Sequence, residues 1–299
     1  MPSVKGKAII VTGASAGIGE ATARFLAREG ACLALVARRE DRLWALKNEL
    51  ESASERAARE AAGQIVVIQA DITLRHHRER IIQATLQAFG RIDGLVNNAG
   101  FGQRGPVELV PLEAIRSNFE TNLFSLIALT QGVIPIMRNQ ESGRIVNVGS
   151  VAGKIARPLS SIYDATKHAL EAITDGLRGE LSLFGIQVAL IEPGFILTEF
   201  MDVANQVSRL VLENSGPYAP FFEEFSKIHE RAKSFAGHPD QIAKLILRAL
   251  TDERPHFRYA GPKHAHLFLA MKRFFPERFF EYFVRRSVGL HLVKQKPSA

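Results

Sequence analysis

Thr12-Gly13-Ala14-Ser15-Ala16-Gly17-Ile18-Gly19 connects a short apolar segment, Ala8–Thr12, to a helical pattern that runs from Gly17 to Glu29. Glycines in such a turn let the backbone approach a phosphate, and the helix that follows presents free N–H groups and the positive end of its dipole. A plain glycine turn before a helix is the alternative. The spacing Gly-x-x-x-Gly-x-Gly differs from the Gly-x-Gly-x-x-Gly of the usual two-halved dinucleotide fold.

Short apolar runs alternate with longer helical patterns along the chain. Strands are predicted at Ala8–Thr12, Cys32–Ala37, Ile65–Gln69, Gly94–Asn97, Arg144–Gly149, Gln187–Glu192 and His256–Ala260. Helices are predicted at Gly17–Glu29, Arg39–Ala61, Leu74–Phe89, Leu112–Met137, Tyr163–Phe184 and from His238 to Thr251. Apolar strands that alternate with helices imply a parallel sheet covered on both faces. The prediction is therefore a doubly wound α/β fold, with ligands at the carboxyl ends of the strands.

Composition excludes several classes of protein. The 299 residues are 46% hydrophobic and 23% charged, which is globular composition for one or two domains. The single cysteine, Cys32, excludes an intrachain disulfide and is expected to be a small buried residue. No signal peptide or apolar stretch of membrane-spanning length is evident, so a soluble cytoplasmic protein is expected. No metal site and no nucleic-acid partner are predicted, because neither ligand clusters nor binding motifs accompany the histidines or the basic residues.

The positive charge is concentrated in the last part of the chain. From Gly261 onward there are eight Lys/Arg and two Asp/Glu, or +6 of the formal +7. Aromatic residues are mixed with these charges, and Pro276 interrupts any single long helix. Three alternatives stay open for this segment: peripheral contact with a membrane surface, packing on the lid expected over residues 195–237, and contact with a second subunit.

Tyr163 and Lys167 are four residues apart and therefore share one face of a helix. A free phenol ionises at about pH 10, and a nearby ammonium favours the phenolate and lowers its pKa. The pair could act as a proton donor and acceptor. Alone it is a weak signal, because the same spacing occurs by chance on many exposed helices.

Five motifs in order strengthen the interpretation. They are Thr12-Gly-x-x-x-Gly-x-Gly19, Asn97-Asn98-Ala99-Gly100, Ser150, Tyr163-x-x-x-Lys167 and Pro193-Gly194. Together they resemble the short-chain dehydrogenase/reductase family over roughly residues 5–198. The resemblance implies a single Rossmann-like domain with a seven-stranded parallel sheet, here residues 1–260, and hydride transfer between NAD(P)(H) and a carbonyl or alcohol. Residues 261–299 would form a helical extension, and an oligomer, either homodimer or homotetramer, is expected.

The resemblance also assigns catalytic roles. Tyr163 would be the general acid in reduction and the base in oxidation, and Lys167 would hold the nicotinamide ribose and lower the pKa of the phenol. Ser150, thirteen residues before Tyr163, would hydrogen-bond the substrate oxygen, with strand-end capping as the alternative. Asn122 would support a water-mediated proton relay, with helix packing as the alternative.

The cofactor would lie along residues from five segments. By resemblance these are Thr12, Gly13, Ser15, Gly17, Ile18, Gly19, Asp71, Ile72, Asn98, Ala99, Gly100, Tyr163, Lys167, Pro193, Gly194 and Thr198. Asp71 and Ile72 would contact the adenine, although Asp71 could instead cap a helix. For Asn98 a purely structural role is equally compatible with the sequence.

The preference for NAD(H) or NADP(H) is predicted from the residues that follow the second strand, where relatives that prefer NAD carry an Asp. This chain has Ala37 there, followed by Arg38 and Arg39. A guanidinium suits a 2′-phosphate, so NADP(H) is predicted over NAD(H), with Arg38 favoured over Arg39 for the contact. The alternative is two solvated arginines.

Residues 195–237 depart from the strand–helix alternation and are expected to form a lid over the substrate. They contain the aromatic residues Phe195, Phe200, Tyr218, Phe221, Phe222, Phe225 and Phe235. An aromatic lid favours an apolar carbonyl or alcohol substrate such as a lipid, steroid or retinoid-like compound, with ordinary packing as the alternative. Extended chains of this kind resemble the 17β-hydroxysteroid-dehydrogenase-like and retinol-dehydrogenase-like branch. The prediction is an NADP(H)-dependent oxidoreductase; the competing class is a catalytically silent NADP-binding scaffold or sensor.

Overall fold

The computed structural model describes residues 1–56 and 63–289, and a seven-stranded parallel sheet forms the centre of this part of the chain. The strands are β1 (Ala8–Thr12), β2 (Cys32–Ala37), β3 (Ile65–Gln69), β4 (Gly94–Asn97), β5 (Gly143–Val148), β6 (Ile186–Pro193) and β7 (Arg258–Gly261). Their order is β3-β2-β1-β4-β5-β6-β7, and every neighbouring pair is parallel. The predicted Rossmann-like sheet is confirmed.

Twelve α-helices are found in the described residues. They are α1 (Gly17–Arg28), α2 (Glu40–Arg56), α3 (Arg75–Phe89), α4 (Leu112–Phe119), α5 (Ser125–Asn139), α6 (Ser161–Leu181), α7 (Phe200–Val207), α8 (Arg209–Glu213), α9 (Ala219–Ala232), α10 (Pro239–Thr251), α11 (Lys263–Phe274) and α12 (Glu277–Ser287). The predicted end of the second helix, at Ala61, lies outside the described residues. The lid segment contains α7, α8 and α9.

The two faces of the sheet carry separate hydrophobic clusters. Along β1, Ile9 and Val11 face one cluster and Ile10 the other, as the alternation of side chains along a strand requires. The first cluster includes residues of α1, α2 and α10, such as Ile242; the second includes residues of α3 and α5, such as Leu129. Helices on both faces make the fold doubly wound.

Several predicted bounds, those of β5, β6 and α6 among them, are shifted by one to three residues, and two further differences have a structural cause. β7 begins at Arg258 and not at His256, because the His256 N–H donates to the Tyr259 hydroxyl at 2.9 Å and is lost to the sheet ladder. The helix predicted from Leu112 to Met137 consists of α4, a π-helical turn at Glu120–Phe124, and α5. Cys32, expected to be buried, is only half-buried at the start of β2.

The continuous helix Leu112–Asn139 is long and apolar enough to cross a membrane by length and composition. The expectation from the sequence concerns an uninterrupted apolar stretch, and Glu120 and Arg138 interrupt this helix. Leu129 and Val133 of the same helix are fully buried in the core against the sheet. Length and composition alone are weak evidence for a span, because core helices pass the same test.

The extension after β7 packs on the loop after β5 and on the lid. Pro276 separates α11 from α12, as predicted. Phe280 and Val284 of α12 pack with Ile155, which follows β5, and Val288 packs in the cluster that contains Phe221 of α9. Packing on the lid, one of the three alternatives for the extension, is therefore found at Val288, whereas α12 packs on the loop after β5.

Candidate active site

Ser150, Tyr163 and Lys167 meet at the carboxyl end of β5. Lys167 donates from Nζ to the carbonyl of Val148, the last residue of β5, at 2.9 Å. The same Nζ lies 5.8 Å from the centroid of the Tyr163 ring. The Ser150 hydroxyl donates to the Pro193 carbonyl at 3.4 Å, accepts from the Ala152 N–H at 3.1 Å, and also hydrogen-bonds Tyr163. Ser150 thus caps its turn and contacts the phenol at once.

Burial, more than any neighbouring charge, sets the protonation of this pair. It raises the pKa of Tyr163 to about 12 and lowers the pKa of Lys167 to about 8. The Arg157 charge and the hydrogen bond from Ser150 oppose the rise at the phenol. Lys167 is not among the groups that shift the pKa of Tyr163 here, so the lowering expected from it stays a prediction. The phenol is desolvated, and the cation that acts on it comes from the loop after β5.

Arg157 was not found by sequence reasoning. It pairs with Asp164, whose side chain is only 1% exposed: Nη2 lies 2.6 Å from Oδ1, and the Arg157 N–H donates to Oδ2 at 2.7 Å. The pair ties the loop after β5 to the first turn of α6, beside Tyr163. Arg157 lies in a loop and Asp164 on a helix seven residues later, and no rule of sequence spacing predicts such a pair. Apart from the charge of Asp164, nothing in the sequence indicated it.

Asn122 lies in the π-helical turn between α4 and α5 and is buried. Its Nδ2 donates to the Phe101 carbonyl at 2.9 Å and to the Thr166 hydroxyl at 3.2 Å, and its Oδ1 accepts from the Phe101 N–H at 3.0 Å. Thr166 stands between Tyr163 and Lys167 on α6. Asn122 therefore braces the helix of the catalytic pair, and its part in a proton relay stays a prediction. A π turn at a functional site is common.

The glycine loop has the geometry of a phosphate cradle. Gly17 has φ of +57°, and a Cβ on it would meet Thr198 at 3.0 Å, so Thr198 closes over the loop. A Cβ on Gly19 would lie 2.3 Å from the Gly13 carbonyl oxygen, so only glycine fits there. Ala16, the N-cap of α1, has no capping side chain, which leaves the first N–H groups of the helix available for an anion.

Thr12 joins the glycine loop to the segment after β4. Its hydroxyl accepts from the N–H groups of Asn98 at 2.9 Å and Ala99 at 3.1 Å and donates to the Val96 carbonyl. The Asn98 side chain returns a bond to the Thr12 carbonyl at 3.0 Å. The structural role foreseen for Asn98 is thus present. Gly100 follows and lies against Oδ1 of Asn122.

Asp71, Ile72 and Ile18 are also predicted cofactor residues, and their side chains differ in what they contact. Asp71 accepts from the N–H and the hydroxyl of Thr73 at 2.9 and 2.7 Å, so it closes a turn before α3 and does not cap that helix. The Ile72 side chain is buried in the core, and Ile18 packs against the other core cluster. Contact of Ile72 with an adenine would therefore use its backbone.

Arg39 lies on the glycine loop, whereas Arg38 is exposed. Nε and Nη2 of Arg39 each lie 3.2 Å from the Ser15 hydroxyl, and its Nη1 pairs with Glu199 at 2.8 Å. The preference expected from the sequence, Arg38 before Arg39 for a 2′-phosphate, stays a prediction. The lid carboxylate of Glu199 and the Ser15 hydroxyl together draw Arg39 over the loop.

The segment after β6 is held by a histidine that sequence reasoning left without a role. The Gly194 N–H donates to the Gly261 carbonyl at 2.8 Å, extending the contact between β6 and β7. The Phe195 N–H donates to Nε2 of His264, in α11, at 2.8 Å. Pro193 and Gly194, predicted to line the nicotinamide, are therefore fixed by the extension.

The lid aromatics divide into two groups. The Phe200 ring meets the Tyr163 ring edge-on, with centroids 5.5 Å apart, so Phe200 borders the reacting phenol. Phe221 and Phe222 are buried with Leu159 in a packing cluster, and Phe235 is exposed. Ordinary packing thus describes Phe221 and Phe222, and a role of the lid aromatics as a substrate wall stays a prediction.

These features define a nucleotide cleft next to a Ser-Tyr-Lys site, and comparison with known proteins agrees. Residues 7–208 match the short chain dehydrogenase family, more than half of the chain. The protein therefore belongs to the short-chain dehydrogenase family and is an oxidoreductase of that class.

Three relatives illustrate the range of the similarity. The 3-ketodihydrosphingosine reductase of Bacteroides thetaiotaomicron is 30% identical over 93% of this chain and 96% of its own length. A Burkholderia phymatum short-chain dehydrogenase/reductase solved with NAD has a TM-score of 0.77 over the full length of both chains at 24% identity, which bears on the fold alone. A metagenomic short-chain oxidoreductase solved with NADP has a TM-score of 0.67 at 26% identity, covering 86% of this chain and 97% of its own. A nicotinamide cofactor is the class these neighbours support.

Proposed function

We propose that the protein is an NADP(H)-dependent reductase of a ketone carried on an apolar, long-chain compound, able to run as an alcohol dehydrogenase in reverse. The observation that carries the proposal is the convergence of Ser150, Tyr163 and Lys167 beneath Phe200. A scaffold that only binds a nucleotide has no need of a buried phenol that contacts a serine hydroxyl. The silent-scaffold alternative is accordingly not favoured.

The proposed roles follow from the protonation of these groups. A bound nicotinamide would supply the hydride in reduction. A phenol with a pKa of about 12 is protonated at neutral pH and is ready to donate its proton to a developing alkoxide. The Ser150 hydroxyl would orient the substrate oxygen. Lys167, with a pKa of about 8, remains largely charged near neutrality and would hold a ribose hydroxyl. This charge pattern favours the reductive direction.

NADP(H) is proposed because the end of β2 carries no carboxylate. Ala37 ends the strand, and the guanidinium of Arg39 lies against Ser15 in the glycine loop. A 2′-phosphate there would gain charge-assisted hydrogen bonds from Arg39, with Arg38 adding charge from the surface. Turnover with NADPH and NADH at matched concentrations tests this assignment, and a clear preference for NADH would overturn it.

The proposed substrate class rests on the wall of the site and on one relative. Phe200 offers an apolar edge beside Tyr163, and a similar chain carries the name 3-ketodihydrosphingosine reductase. A ketone within a long apolar chain fits both. Placement in the 17β-hydroxysteroid-dehydrogenase-like and retinol-dehydrogenase-like branch remains a narrower version of the same proposal.

The deciding experiment is a panel of carbonyl compounds monitored by NADPH absorbance. The panel would contain 3-ketodihydrosphingosine, steroid ketones, retinal and small polar ketones. We expect turnover to favour the long-chain ketone, and Tyr163→Phe to lower kcat about 10²–10⁴-fold while NADPH binding is retained. Wild-type protein that binds NADPH but reduces no compound would support the scaffold alternative instead.

A further inference from the structure

Four aromatic residues on the outer side of the extension are exposed to solvent, and we call them the aromatic tip: Phe274, Phe275, Phe279 and Tyr282. Phe274 is 75% exposed and Tyr282 is 58% exposed. The rings of Phe275 and Phe279 stack on one another, with centroids 4.8 Å apart. A contiguous exposed aromatic patch at a helical turn marks an interaction surface more often than a random surface position.

The aromatic tip is distinct from the residues that anchor the extension. Phe280 and Val284, one turn apart on α12, are buried with Ile155 and fasten the helix to the loop after β5. Phe279 and Tyr282 are three residues apart on α12 and share one side of that helix, and Phe275 stacks on Phe279 from the turn before it. One face of α12 thus packs on the rest of the fold, and the aromatic tip is exposed to solvent.

Basic residues surround the aromatic tip. Within residues 261–289 there are six Lys/Arg and two Asp/Glu, a net charge of +4. Lys272, Arg273 and Arg278 are exposed at the turn between α11 and α12. Aromatic rings together with arginine and lysine side chains suit the boundary between lipid headgroups and acyl chains, where the rings enter and the cations remain at the phosphates.

We propose that the aromatic tip binds the surface of a lipid bilayer that contains anionic lipids. Charge complementarity selects this partner: the positive hairpin would meet the negative potential of the leaflet, at about fivefold in affinity for each basic residue near the surface. The hairpin packs on Ile155, five residues after Ser150, and Val288 packs on the lid cluster. Binding would therefore turn the substrate side of the protein toward the membrane.

Sedimentation of the full-length protein with vesicles tests the proposal. Vesicles of phosphatidylcholine alone are compared with vesicles that also contain phosphatidylglycerol. We expect binding that requires phosphatidylglycerol and weakens with added salt. Phe275→Ser/Phe279→Ser and Arg273→Glu/Arg278→Glu should each lose at least about tenfold in affinity. The matched controls are Leu183→Ser, an exposed apolar side chain elsewhere, and Arg75→Glu, an exposed cation on α3; both should bind as the wild type does.

Three results would overturn the proposal. The first is the absence of binding at low salt. The second is equal binding by wild type and both double variants when all retain NADPH binding and cooperative thermal unfolding. The third is a double-serine variant that changes from oligomer to monomer by light scattering while no form binds vesicles, which would make the aromatic tip an interface between copies. Vesicle binding requires no turnover, so a wrong substrate assignment leaves this test unaffected.

Discussion

At the scale of single residues, Arg157 is the group through which the loop after β5 acts on the phenol. Its pair with the buried Asp164 holds it near Tyr163, where its charge opposes the larger effect of burial on the pKa of the phenol. Arg157→Gln should raise that pKa further and destabilise the fold by about 2 kcal/mol, because Asp164 loses its cation. The readouts are urea unfolding and the basic limb of the pH–rate profile for ketone reduction, in which the protonated phenol is the active form.

Arg157→Lys is the matched control, since it keeps the positive charge while it loses the two-pronged contact. We expect its basic limb to stay close to that of the wild type. A limb that does not move in Arg157→Gln would show that this charge has no influence on the phenol.

Glu192 is a second buried acid whose protonation affects stability. Burial and the neighbouring Glu171 charge raise its pKa from 4.5 to about 7, even though Lys154 and Arg258 reach Glu171 at 2.6 and 3.0 Å. The folded state therefore binds more protons than the unfolded state between those values. The cost of the charged form grows as pH rises from about 4.5 to about 7 and stays constant above.

Glu192→Gln should consequently gain stability relative to the wild type as pH rises through neutrality, and the difference should shrink toward about pH 4.5. Urea unfolding at several pH values measures it. Glu113→Gln, at an exposed position, is the control and should show no such dependence. A constant difference across the range would contradict the assignment.

At the scale of secondary-structure elements, α11 holds the start of the lid through His264. The Phe195 N–H donates to Nε2 of this side chain, and the Phe195 carbonyl accepts from the Gly237 N–H at 2.9 Å, so both ends of the lid meet at Phe195. His264→Ala should leave the backbone N–H without its partner and raise the KM for substrate and cofactor about two- to tenfold. Steady-state kinetics measures this, with His266→Ala as the control on an exposed side chain of the same helix.

Because of the hydrogen bond between Phe195 and His264, the stability of the lid should depend on pH. Burial lowers the pKa of His264 below 6.5, and only the unprotonated Nε2 can accept from Phe195. The stabilisation is therefore present above about pH 6.5 and is lost as pH falls through the lower folded value. Limited proteolysis of residues 195–237 should accelerate at acid pH in the wild type. In His264→Ala the same residues should be cut rapidly at both acid and neutral pH. A cleavage rate of the wild type that does not change with pH would contradict this prediction.

At the scale of the whole molecule, the lid and the glycine loop are joined across the cofactor cleft by Glu199. Its carboxylate pairs with Arg39 at 2.8 Å and with Arg42 at 2.6 Å. A 2′-phosphate would compete with Glu199 for Arg39. Glu199→Gln should therefore tighten NADPH binding by up to about fivefold, the range of an exposed ion pair, and leave NADH binding unchanged.

Fluorescence titration with both nucleotides measures the effect. Glu213→Gln on α8 is the matched control, because it removes an exposed lid carboxylate that pairs only locally, with Arg209. Weaker NADPH binding by Glu199→Gln would show that the carboxylate supports the cleft and does not compete with the phosphate. The expected oligomer remains a prediction, measured by light scattering of the wild type.

The local parts of the fold were predictable where one signal dominates. β1 to β4 begin and end as predicted, because a continuous apolar run bounded by Gly, Asp or Asn leaves little choice of where the strand starts and ends. The π turn around Asn122 was not predictable, since a single i→i+5 turn inside an α-helical stretch is too short to show a periodicity of its own. Its extra residue is stabilised by bonds to Phe101 and Thr166 from other parts of the chain.

The sequence by itself determined the class of fold, the glycine loop and the spacing of Tyr163 and Lys167, because these depend on residues close together in the chain. Only the tertiary structure decided which groups surround that pair. Arg157 at the phenol, Arg39 in preference to Arg38 at Ser15, and His264 at Phe195 all depend on contacts between distant segments. Burial and long-range pairing set charge and position there, and neither has a periodicity that a sequence displays.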